Sequence, residues 1–121
     1  MLPRNLDSAE LGNRETPAGC VVLPSALSGE GHVYNQFVIR VASTCRDGLR
    51  ETLKNQGIET AAYYPLPLNC QPVARQLGYS GTECPRAVIA SRECVALPIC
   101  PELGREQQRR VVSAVAAFFG S

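Results

Sequence analysis

Apolar and polar positions alternate most regularly over residues 33–42, "VYNQFVIRVA". Val33, Asn35, Phe37, Ile39 and Val41 share one side; Tyr34, Gln36, Val38 and Arg40 share the other. With β-branched residues dominating, this period of two predicts a strand whose second face carries Gln36 and Arg40 toward water. The period then changes. Leu49 and Leu53, four apart in "STCRDGLRETLKNQGI", predict a helix over 43–57, with Ser43 or Thr44 as N-cap and Gly57 as its left-handed stop. "IETAAYY" (58–64) predicts a further strand, and "CVVLP" (20–24) a short one stopped by Pro24, before a Ser- and Gly-rich loop at 25–32.

Residues 61–72, "AAYYPLPLNCQP", break every period. Pro65 and Pro67 exclude a helix interior and a central strand, so the preceding strand ends in a stiff, extended elbow. Short helical turns follow at 70–79 and 84–93, each with a proline near its start, and "CVALPI" (94–99) predicts a strand. The last helix spans 104–119, with Gly104 as cap, Gln107 three residues on, and a buried face of Val111, Val112, Val115, Phe118 and Phe119. Residues 1–19 show no clear periodicity and read as a flexible lead, with a short helical turn near Ser8–Leu11; residues 20–121 read as one domain. The order of elements predicts an α+β two-layer sandwich: a small, mostly antiparallel or mixed sheet with helices on one face.

Composition narrows the function classes. A net charge of +1 over 121 residues argues against a nucleic-acid surface or a polybasic membrane surface. No apolar run approaches the length of a membrane span, and the N-terminal segment lacks the apolar core of a signal peptide. A cytoplasmic location is therefore expected, with Cys20, Cys45, Cys70, Cys84, Cys94 and Cys100 reduced. None of the six forms a C-x-x-C pair and His32 is the only histidine, so no metal site is expected.

Several stretches together carry a resemblance. "VVLP", "HVYNQFVIR", "RDGL", "GIETAAYYPLPLNCQP", "LGY" and "CPRAVIASRECVALPICPEL", followed by an amphipathic helix, occur in an order that resembles the C-terminal small domain of DegT/StrS-type sugar aminotransferases, over about residues 20–119. Those enzymes are fold-type-I, pyridoxal-phosphate-dependent, and act mostly on nucleotide-linked keto-sugars. The resemblance implies a small α/β unit packed on a large cofactor domain, with the segment matching Tyr63–Asn69 near the active-site mouth. The family pattern there ends in His where this chain has Asn69, which keeps hydrogen bonding but cannot titrate near neutral pH.

The resemblance also implies what this sequence lacks. The family's Schiff-base lysine and phosphate-binding residues belong to the large domain. Lys54 is the only lysine here and sits on an amphipathic helix, where it reads as a surface charge. No catalytic residue and no cofactor are therefore expected, unless a large domain supplies pyridoxal phosphate. The candidate ligand contacts are Tyr63, Tyr64 and Asn69, with His32 and Tyr34 at the start of the long strand. A second reading of the elbow stays open, in which the tyrosines pack under the helices and Asn69 caps the next turn.

Three functions fit. One is a stand-alone, non-catalytic binding or interaction module, expected as a homodimer or with a partner protein over the face that would meet a large domain. Another is one subunit of a split aminotransferase, completing the nucleotide-sugar pocket of a separate cofactor-binding chain. The third is a folded gene fragment without a role. The start at Met1 is compatible with a complete small reading frame.

Overall fold

The alternating segment becomes the centre of a sheet in the computed structural model, which describes residues 4–7, 14–26 and 31–120. The elements are β1 (Arg4–Asp7), β2 (Cys20–Leu23), β3 (Phe37–Val41), α1 (Ser43–Asn55), a 3-10 turn (Leu68–Cys70), α2 (Pro72–Gln76), α3 (Pro85–Glu93), β4 (Cys94–Leu97) and α4 (Arg105–Gly120). The sheet order is β1-β2-β3-β4. β2, β3 and β4 pair antiparallel, with Val21 opposite Val41 and Ile39 opposite Val95, and β1 runs parallel to β2. The class is α+β, as the order of elements predicts.

Ile39 and Val41 project to one side of β3 because successive side chains alternate. There they join Val21 and Val95 from the sheet, Leu49 and Leu53 from α1, and Val111, Ala114 and Val115 from α4. Phe37, Leu97, Phe118 and Phe119 close the edges of this core. The two phenylalanine rings of α4 meet edge to face at 5.0 Å. Val112 is exposed rather than buried. At about 100° per residue it lies a quarter-turn off the stripe formed by 111, 114/115 and 118, and Ala114 takes its place.

Four other expectations change. The N-cap of α1 is Ala42, with no side-chain cap, rather than Ser43 or Thr44; the N–H groups of Cys45 and Arg46 donate to the Ala42 carbonyl. The long strand starts only at Phe37, because Tyr34 takes a positive φ of 46° that breaks the extended run. The predicted strand 58–64 reduces to one antiparallel bridge, Ala61 with Ala96, since the following prolines carry the chain away from β4. β4 stops at Leu97, ahead of Pro98. At α4, the Gln107 Oε1 accepts the Gly104 N–H at 2.9 Å, the capping arrangement that the sequence spacing predicts.

Within residues 1–19, read as a flexible lead, Arg4–Asp7 forms the edge strand and Thr16 is buried. Thr16 is held by Glu93, which is only 1% exposed. The Glu93 carboxylate accepts the Thr16 N–H at 2.8 Å and its hydroxyl at 2.7 Å. Arg40 adds bonds from Nη2 at 2.7 Å and Nε at 3.2 Å. A buried carboxylate needs such full pairing, because an uncompensated one would be strongly destabilising. The helical turn expected near Ser8–Leu11 lies outside the described residues.

Candidate functional site

The elbow is shaped by its own backbone. Pro67 is extended (φ −59°, ψ 150°) and buried, and its carbonyl accepts the Cys70 N–H at 2.9 Å to form the 3-10 turn. Gln71 Nε2 donates back to the Leu66 carbonyl at 3.3 Å, which closes the elbow on itself. Pro72 then opens α2, where its missing N–H costs nothing. Gly78 (φ +92°) ends α2, a conformation that favours glycine.

The loop beyond is organised by Glu83. Its carboxylate accepts the Ser80 N–H at 2.6 Å, the Ser80 hydroxyl at 2.8 Å and the Gly81 N–H at 3.0 Å. It also accepts Asn69 Nδ2 at 3.3 Å. These donors, the Ser80 backbone first, hold the Glu83 carboxyl down at about 2. Asn69 therefore does not cap the next turn. Its amide is tied across to Glu83.

Elbow, sheet and α3 enclose a cavity of about 590 Å³, within the usual size of a ligand pocket. Val38, Cys94 and Ala96 come from the sheet face opposite the core, and Gln36 from the residue just before β3. Ala61 and Ala62 come from the bridge segment, and Tyr63, Tyr64, Pro67, Leu68 and Asn69 from the elbow. α3 supplies Ala87, Ala90 and Ser91, and its N-cap residue Cys84 joins them. No charged side chain lines the wall. Cys84, Ala87, Ala90, Ser91 and Cys94 follow the three-and-four spacing of a helix face, so the sequence carried a signal for a small-residue wall that the elbow overshadowed. The bulk of this wall is set by alanines, which leave space where larger residues would fill it. Burial pushes the Cys94 thiol up, partly opposed by Arg40.

Tyr63, Tyr64 and Asn69 thus stand together in one wall. The tyrosines are 55% and 69% exposed, so they do not pack under the helices. His32 and Tyr34 are not brought to the cavity. The His32 ring stacks on Tyr34 with centroids 3.9 Å apart, and its Nδ1 accepts the Tyr34 N–H at 2.9 Å. Gln36 lines the cavity and Arg40 pairs with Glu93, so neither simply faces water.

A small α+β domain with an uncharged cavity beneath a proline-braced, tyrosine-bearing elbow is the class that fold and site define. Within that class, the chain belongs to the DegT/DnrJ/EryC1/StrS aminotransferase family, whose sequence profile it matches over residues 9–116. It is 45% identical over 105 residues to a pleiotropic regulatory protein of Geobacillus stearothermophilus, covering 87% of this chain and 28% of that one. It is 36% identical over 94 residues to a UDP-N-acetyl-3-dehydro-α-D-glucosamine 3-aminotransferase of Acidithiobacillus ferrooxidans, covering 77% of this chain and 24% of that one. The crystal structure of DesV from S. venezuelae superposes with a TM-score of 0.78 at 30% identity, over 93% of this chain and 29% of that chain. The chain therefore spans about a quarter of the length of the curated relatives it matches.

Pyridoxal phosphate, which the family implies, does not fit the residues of this cavity. Its aldehyde needs an amine and its phosphate needs donors or cations. Lys54, the only lysine, is exposed on the last turn of α1, and the cavity wall has no cationic side chain. What the wall can do is bind: its tyrosines offer rings and hydroxyls, its alanines an apolar floor, and Asn69 an oriented amide.

Proposed function

We propose that this chain is a non-catalytic small domain that docks on a pyridoxal-phosphate-bearing aminotransferase domain and supplies one wall of its nucleotide-sugar pocket. One observation supports it above others: the elbow that lines the cavity and the α2 segment after it in the chain carry a run of exposed apolar side chains, the rim. Leu68 and Leu77 are 72% and 75% exposed, and Val73, Tyr79 and the two elbow tyrosines are exposed as well. Apolar surface of this kind marks an interaction site. The aminotransferase domain carries out the chemistry; this chain shapes the pocket and keeps water out of one side of it. The substrate class is carried over from the relative that acts on a UDP-linked keto-sugar.

The test mixes the purified chain with the cofactor-loaded Acidithiobacillus enzyme, cut back to remove the quarter that this chain matches. Light scattering should give a one-to-one complex. Amino transfer to the UDP-linked keto-sugar should return in the mixture and be absent from either part alone. A chain that binds no large domain at any concentration would overturn the proposal. A tight homodimer that covers the rim and excludes the large domain would favour the stand-alone module instead.

A further inference from the structure

Asn69 is a polar group of the cavity wall whose orientation the structure fixes. Ionised Glu83 can only accept hydrogen bonds, so the Asn69 group facing it must be the amide NH2. Three further donors from Ser80 and Gly81 hold the carboxylate in place, so it is not free to swing away. The Asn69 carbonyl oxygen is then the end left over, and among the described residues no protein donor reaches it. Asn69 lines the cavity together with Leu68 and with Cys84, which precedes α3. The site therefore offers an acceptor beside an apolar floor of Val38, Ala87, Ala90 and Ala96. The other end of the same amide is held by a negative charge, and no cation in the wall offsets it.

We infer that this cavity selects an uncharged sugar that presents an O–H or N–H donor to the Asn69 carbonyl, and rejects the corresponding uronic acid. The inference rests on the pocket reading proposed above and adds the substrate's charge to it. A neutral hexose or N-acylhexosamine meets the acceptor with a donor and the alanine floor with its apolar face. A uronate brings a second carboxylate toward Glu83, where like charges repel. The diphosphate is common to both and does not enter the comparison. Two residues act on the sugar differently: Asn69 touches it, and Glu83 acts through Asn69 as a positioning residue and through space as a charge.

The experiment titrates the isotope-labelled chain, in its complex with the cut-back aminotransferase domain, with UDP-N-acetylglucosamine and with its uronic acid counterpart, and follows backbone amide shifts in the wall. The neutral sugar should bind about five-fold more tightly at low ionic strength, and the difference should shrink as salt screens the exposed Glu83. Asn69→Ala should weaken the neutral sugar about five-fold, as expected for one lost hydrogen bond, and leave the uronate nearly unchanged. Glu83→Gln keeps an acceptor for the Ser80 donors but turns a donor toward the Gly81 N–H and Asn69, so it removes both the charge and the fixed orientation of Asn69, and it should bring the two affinities together. Equal affinities for the two sugars in the wild-type chain, or a preference untouched by Glu83→Gln, would overturn this inference and leave the pocket reading standing. No shift in the wall with either sugar, at up to about 10 mM ligand, would overturn the pocket reading and this inference with it.

Discussion

Two carboxylates show how burial alone changes what a residue does. Glu93 is sealed between Thr16 and Arg40, where it ties the N-terminal segment to the sheet and to the end of α3. Removing its cation leaves a buried charge with only the Thr16 donors and no counter-charge. Arg40→Met should therefore destabilise the fold by about 3 kcal/mol, read from urea unfolding. Glu83 lies at the surface and gathers donors from its own loop instead. Its folded value of about 2, against 4.5 unperturbed, is depressed, so the stability it adds is complete above pH 4.5 and is lost as the pH falls toward 2. Glu83→Gln should flatten that stretch of the acid limb in unfolding experiments followed by circular dichroism. An unchanged acid limb would mean that the loop bonds do not survive in solution.

At the scale of elements, the helices show where local sequence and packing agree and where they do not. α1 carries Leu49 and Leu53 fully buried, as their spacing predicts. It also carries Gly48 inside the helix, where glycine lowers stability relative to alanine. A methyl group there would meet the Phe118 ring at 3.6 Å, an ordinary contact, so nothing in the fold requires the glycine. Gly48→Ala should stabilise the protein by about 1 kcal/mol and raise Tm by about 4 °C, measured by thermal unfolding. Strands were harder to read, because a run of β-branched or aromatic residues is a strand only if a neighbour pairs with it. "IETAAYY" has that composition but meets β4 at a single bridge, and the remainder becomes the approach to the elbow. Arg4–Asp7 lacks the composition and pairs along its length with β2.

For the molecule as a whole, the sheet divides two kinds of surface. One face is filled by α1 and α4 and makes the stable core. The other stays partly open between α3 and the elbow, and its apolar rim is the surface proposed to meet the aminotransferase domain. If so, an acidic residue placed on the rim should break the complex and spare the fold. Leu77→Asp is expected to lower association at least ten-fold by light scattering, while the unfolding midpoint stays within the range of ordinary surface substitutions. A rim substitution that left association intact would place the partner elsewhere.

By itself the sequence determined the helices, the central strand and the stiffness of the elbow, because these depend on spacing along one segment and on proline geometry. It also marked Tyr63, Tyr64 and Asn69 as candidates, since aromatic and polar side chains on a stiff, extended turn stand out locally. Only the tertiary structure decided that these three share a wall with Gln36, Ala87 and Ala96, and that His32 and Tyr34 do not join them. A cavity is the space left between elements, and no single segment encodes it. The same holds for Glu93 and Thr16, 77 positions apart, and for Glu83 and Asn69, 14 apart, whose bonds settle what each side chain can offer. Those pairings arise from how the elements pack, which is why the sequence could name the elbow but not the pocket behind it.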